Sequence, residues 1–124
     1  MREPIPVYEL ARLLAQTPIK TYVKSMYQME TMGANGPEAV ETGLIRLELS
    51  LPGRTYIRES SYTRHPDRRD SVSFSRATSF IRSSKEGSTP ILDEDGSPIA
   101  NAGLCTLIDA LPHVQHYDLT AFDD

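Results

Sequence analysis

The stretch LIRLELSL, Leu44 to Leu51, constrains the fold of this chain more than any other. Ile45, Leu47, Leu49 and Leu51 alternate there with Arg46, Glu48 and Ser50. Successive side chains of a strand point to opposite faces, so apolar residues at every second position suit a half-buried strand and not a helix. Pro52-Gly53 follows at once, and glycine supplies the positive φ that the second central position of a type II turn requires. TYIRESSYT (55–63) and SVSFSRATSFI (71–81) read as two more strands, separated by the loop RHPDRRD (64–70). Strands joined by short turns usually pair. The sequence therefore predicts an antiparallel β-meander over 44–82, with strands near 44–51, 54–63 and 71–82.

Helical signals flank this meander. A helix over 6–16 is predicted from Leu10, Leu13 and Leu14, with Pro6 in its first turn. A second helix is predicted over 18–32. Thr17 can cap it, Pro18 suits its first position and Gly33 its end, while Ile19, Tyr22, Val23, Met26 and Met29 follow helical spacing. A strand beginning near Met26 is the competing reading. A third helix, 98–111, carries Leu104, Leu107, Ile108 and Leu111 as its buried stripe and stops at Pro112; a turn around Asp95-Gly96 precedes it. The last segment, HVQHYDLTAF (113–122), is expected to close the fold as a strand. The sum is a small α+β protein, one domain over 1–124, with the helices packed on one face of the sheet. Within it a helical N-terminal segment (residues 1–33) precedes the meander (44–82), and a C-terminal helix and strand (91–122) follow.

Apolar residues make up 39% of the chain, within the range of ordinary globular proteins. No run approaches the roughly 18 apolar residues of a membrane span, the N-terminus lacks a long apolar leader, and there is one cysteine, Cys105. These features point to an intracellular, cytoplasmic protein with no membrane attachment. Charge is distributed unevenly. Residues 54–85 hold eight cations and three acids, net +5; residues 1–53 are net −1; residues 86–124 have eight acids and no Lys or Arg, net −8. Such polarity suits a partner with an acidic surface, or association of the basic hairpin with the acidic region in the same or another copy.

The candidate binding residues lie on that hairpin: Arg54, Tyr56, Arg58, Arg64, Arg68, Arg69, Arg76 and Arg82. By strand parity Arg54, Tyr56, Arg58, Ser60 and Tyr62 point one way, and Val72, Phe74, Arg76, Thr78, Phe80 and Arg82 of the third strand do the same. If the loop closes symmetrically, Arg58 meets Arg76, and like charges directly opposite each other destabilise a sheet. Three arrangements relieve this: a carboxylate from Glu9, Glu30 or the acidic C-terminal region, a bound anion or phosphate, or a shifted register. Arginines interleaved with aromatics also have the composition of a single-strand nucleic-acid platform, although the chain is acidic overall and the motif strings of such domains are absent.

Signals for catalysis are sparse. His113, His116 and Asp118 are candidates for a metal or a small active site, but Pro112 interrupts the helix that would align the histidines. Cys105 lies beside the third helix's apolar stripe, where a packed thiol is expected rather than a nucleophile. DEDG (93–96) fails as a calcium loop because Pro98 stands where glycine is needed. There is no phosphate-binding glycine loop and no nucleophile elbow, so no cofactor and no metal are expected. The sequence thus favours a non-catalytic binding or regulatory protein, an inhibitor or accessory subunit that works through protein–protein contacts and self-association. A binder of nucleic acid or an anionic ligand through hairpin 54–85 comes second, and a small enzyme built on His113, His116, Asp118 or Cys105 third.

Overall fold

A computed structural model describes residues 4–33, 36–66, 71–83 and 89–122. Along the chain run β1 (Ile5–Pro6), α1 (Val7–Gln16), β2 (Ile19–Gly33), β3 (Gly36–Leu51), β4 (Arg54–His65), β5 (Ser71–Phe74), β6 (Thr78–Ser83), β7 (Ile91–Leu92) and α2 (Asn101–Asp109). Two 3₁₀ turns, Pro112–Val114 and Leu119–Phe122, complete it. The order β2-β3-β4 forms an antiparallel sheet, and both β5 and β6 pair with β4 on its far side. β1 and β7 make a separate two-residue parallel pair. The architecture is α+β and predominantly antiparallel.

The alternating stretch behaves as its period dictates. Ile45, Leu47, Leu49 and Leu51 of β3 are buried, and Gly53 takes φ 72° in the turn that leads into β4. The register places Leu49 opposite Tyr56, Leu47 opposite Arg58, Ile45 opposite Ser60 and Gly43 opposite Tyr62, all on one face. Position 43 has to be glycine, because a Cβ there would run into the backbone carbonyl oxygen of Lys24 on β2 and would also lie 2.8 Å from Cε1 of the Tyr62 ring. One cluster joins Leu47, Leu49, Leu51 and Tyr56 to Leu10 and Leu14 of α1, to Ile91 of β7, to Leu104 and Ile108 of α2, and to Val114. Burial of this apolar surface is the main driving term for the fold.

Four expectations are corrected. Residues 18–32 are not a helix but β2, which pairs with β3 from Ile19↔Leu49 to Gly33↔Gly36 with a bulge between Ser25 and Tyr27. Ile19, Thr21 and Val23 are β-branched and alternate with Lys20, Tyr22 and Lys24. That period-two pattern, satisfied by pairing with β3, outweighs the helical spacing. The meander therefore begins at Ile19 rather than 44. The third strand is broken at 75–77. Tyr62 lies opposite Phe74 but Arg58 opposite Ser79, so four steps along β4 face five along its partners and the side chains change face. Arg58 accordingly does not meet Arg76. The C-terminal segment is a pair of 3₁₀ turns rather than a strand. Within α2, Leu104 and Ile108 are buried, but Leu107 is 43% exposed.

Candidate functional site

The arginines of the hairpin do not form one surface. Arg54, Arg58 and Arg64 of β4 point to the core face; Arg82, opposite Thr55, points to the other. Arg76 is exposed in the break between β5 and β6, and Arg68 and Arg69 lie outside the described residues. Each core-face arginine is engaged differently by the C-terminal region of the chain or by β3. Arg54 donates from Nη1 to Asn101 Oδ1 (2.9 Å) and from Nη2 to the Thr89 carbonyl (3.1 Å). Arg64 pairs with Glu41 (3.4 Å), and its guanidinium lies 5.3 Å from the ring centre of Phe122, which packs edge-on against Tyr62. Arg58 is covered by Tyr117, whose ring centre is 4.9 Å from the guanidinium carbon.

The described parts of the basic hairpin and of the acidic C-terminal region thus meet within one chain, at Arg54, Arg58 and Arg64 through aromatic rings and neutral oxygens and at Tyr56 and Ser79 through the carboxylate of Asp109. The contact also buries Tyr56 (0% exposed) and Tyr62 (2%), so neither ring is free to stack on a base. Phe74 and Phe80, each 38% exposed, are left on opposite faces by the break at 75–77.

Arg58 has an unusual environment. It is 6% exposed, and among the described residues its buried Nη2 has no hydrogen-bond partner. Among the described residues no carboxylate lies within ion-pair distance of it. Its side chain forms one wall of a cleft of about 300 Å³ with Ser60, Phe74, Ser75, His116 and Tyr117. Ser60 Oγ and Tyr117 Oη are 2.6 Å apart, and the rings of Tyr117 and Phe74 are 5.1 Å apart. Ser75 Oγ accepts from the Ser61 amide at 3.0 Å, which holds the break between β5 and β6 against β4. Sequence reasoning singled out Arg58 and missed Tyr117, Ser60 and Ser75. Nothing in the spacing of these residues announces the cleft, since Tyr117 arrives from a segment read as a strand.

Next to this cleft, Asp109 at the end of α2 accepts from the Tyr56 hydroxyl and from Ser79 Oγ (2.8 Å). Burial, followed by the bond to Asp109, pushes the Tyr56 hydroxyl up from its ordinary value to about 12. Cys105 is half-buried, and burial and Asp109 raise its thiol. A raised thiol stays protonated, the opposite of what a nucleophile needs. Asp118 is occupied locally: its Oδ1 accepts from the Thr120 amide (3.0 Å) and hydroxyl (2.6 Å), which lowers its pKa. The His113 side chain lies outside the described residues. Among the described residues no three His, Cys, Asp or Glu side chains converge as a metal site would require.

A second surface lies at the opposite margin of the sheet. β2 hydrogen-bonds to β3 alone among the described residues, so the other edge of this 15-residue strand is unpaired there. Lys20 and Lys24 are exposed on it, with Tyr22 (48% exposed) between them and Met26 (62%) at the bulge. A groove of about 520 Å³ runs beside them on the outward face, lined by Tyr22, Lys24, Leu44, Arg46, Glu48 and Glu59. No described helix is long and apolar enough to cross a membrane. Compared with known proteins, the chain matches no family model, no curated protein and no solved structure.

Proposed function

We propose that this protein is a non-catalytic, cytoplasmic binding module that works through protein–protein contacts, capturing an extended acidic segment of a partner along the free edge of β2. The observation that carries this reading is that edge: 15 residues of strand whose outward amide and carbonyl groups have no described partner strand. Unpaired edges are templates for strand addition, in which main-chain bonds give affinity and alternate side chains give selectivity. Lys20, Tyr22 and Lys24 point to one face at strand spacing, and no acidic residue lies between Ile19 and Ser25. A partner strand with carboxylates opposite the two lysines and an apolar residue opposite Tyr22 complements them. On this reading both helices cover the face of Leu47, Leu49 and Tyr56, since their buried leucines share a cluster with those residues, and the outward groove beside Tyr22 stays open.

Lysines on an edge also discourage unwanted pairing, and the experiment separates the two roles. A synthetic peptide alternating Glu and Val is titrated in at low and high salt while amide hydrogen exchange is followed. Protection confined to β2, weakened by salt and lost in the double variant Lys20→Glu, Lys24→Glu, is the expected result. No binding, or protection elsewhere, overturns the proposal. Concentration-dependent protection of β2 without peptide would make a second copy of this chain the occupant.

A further inference from the structure

A buried cation with free N–H groups is expensive to keep. Taking a charged group out of water costs several kcal/mol unless it is paired and hydrogen-bonded. Arg58 is 6% exposed, and among the described residues its Nη2 has no partner and no carboxylate is in ion-pair range. The Tyr117 ring, 4.9 Å from the guanidinium carbon, offsets some of this cost. A ring offers a guanidinium no oxygen acceptor and no formal countercharge. The guanidinium N–H donors lie in its own plane and point outward, where they match a carboxylate or phosphate.

The surroundings of Arg58 are those of an anion subsite. The cleft beside it holds about 300 Å³, and among the described residues none that lines it is acidic, in a chain of net charge −4. The cleft is also lined by Ser60, Ser75 and Tyr117; the Ser60 and Tyr117 hydroxyls share one hydrogen bond at 2.6 Å, which leaves one of their two protons for an oxyanion, and His116 sits exposed at the rim. Asp109, the carboxylate of the neighbouring α2, is already bonded to Tyr56 and Ser79. The break at 75–77 borders the cleft: Phe74 still pairs opposite Tyr62 and Ser75 is bonded to Ser61, but pairing with β4 resumes only at Thr78, opposite Glu59.

We infer that the cleft between β4, the break at 75–77 and Tyr117 binds the oxyanion of a small ligand, a carboxylate or a phosphate group, with Arg58 as its counter-ion. This site is on the core face and is independent of the β2 edge. An oxyanion there lies against the part of Arg58 that lines the cleft and neutralises the buried charge, while the Phe74 and Tyr117 rings form an apolar wall for the rest of the ligand.

Sodium phosphate and sodium acetate are titrated into the full chain at constant ionic strength maintained with sodium chloride, with amide chemical shifts and thermal stability as readouts. The expected result is a saturable response to at least one oxyanion at residues 58, 60, 75 and 115–117, with a rise in Tm that chloride does not produce. A response to phosphate alone assigns a phosphate group, and one to acetate alone a carboxylate. Arg58→Met should abolish the response. His116→Glu changes an exposed residue at the rim of the cleft, and it should weaken binding by about tenfold or more. Absence of a saturable response to both anions in the wild-type chain overturns the inference, as does a response that persists in Arg58→Met or is insensitive to His116→Glu.

Discussion

Arg46 and Arg58 lie on neighbouring strands, one residue apart in register and on opposite faces of the sheet. Arg46 stands opposite Glu59, and Arg58 opposite Leu47. The outward arginine is 39% exposed and pairs with Glu59 at 2.6 Å and Glu48 at 3.5 Å. Among the described residues the inward arginine has no ion pair, its Nη2 has no hydrogen-bond partner, and a tyrosine from the far end of the chain lies over it. One residue type meets two solutions because the outward site draws partners from its own strand pattern, with water available for the remainder. The inward site has only what tertiary packing brings. A charge in that position marks a place where the fold tolerates a cost, and such places are where binding sites are found.

The strongest perturbation of this contrast removes the core that separates the two faces. Leu49 is fully buried, so Leu49→Ala should cost about 2–5 kcal/mol in denaturant unfolding through lost burial and a residual cavity. Leu107→Ala, at a 43% exposed position of α2, should stay within about 0.5 kcal/mol. Equal costs would mean that α2 presents a different side to the sheet.

Next is the hydroxyl that ties α2 to β4. Tyr56→Phe removes the donor to Asp109 and should cost about 1–2 kcal/mol. The same bond has a pH signature. Folding raises the Tyr56 pKa from 10.0 to about 12. The unfolded chain therefore loses this proton first, and stability from Tyr56 is complete below the unfolded value near 10. It declines as pH rises from there toward about 12. Tyrosinate absorbance and the unfolding midpoint followed over that range should show the decline in the wild type and its absence in Tyr56→Phe.

Arg58→Met tests the inward arginine directly. In anion-free buffer the variant should be more stable than the wild type by about 1 kcal/mol, since a buried unpaired charge is replaced by an apolar chain of similar volume. A loss of stability would show that Tyr117 alone compensates the guanidinium. The smallest effect belongs to the outward pair: a double-mutant cycle on Arg46→Ala and Glu59→Ala should give a coupling below about 1 kcal/mol that shrinks with added salt.

Much of the central sheet was legible because its signals are local. The alternation of Ile45, Leu47, Leu49 and Leu51, the Pro52-Gly53 turn, the opening of β4 and the leucines of α1 each state their own structure within a few residues. The edge strand was only half legible. Ile19, Thr21 and Val23 already alternate with Lys20, Tyr22 and Lys24, but Thr17-Pro18 and Gly33 mimic helix boundaries and Met26 and Met29 fit a helical stripe. Only hydrogen bonding to β3, which no local pattern contains, decides between the two.

The cleft could not be read in advance for the same reason in stronger form. Its walls depend on the one-residue slip at 75–77, which reverses the faces of everything after Phe74. They depend also on a C-terminal turn that carries Tyr117 to Arg58 and Phe122 to Arg64. Periodicity is a property of neighbours along the chain and follows from backbone geometry. Which strand a residue faces, and which ring covers a charge, follow from contacts between distant segments that burial of the shared core brings together.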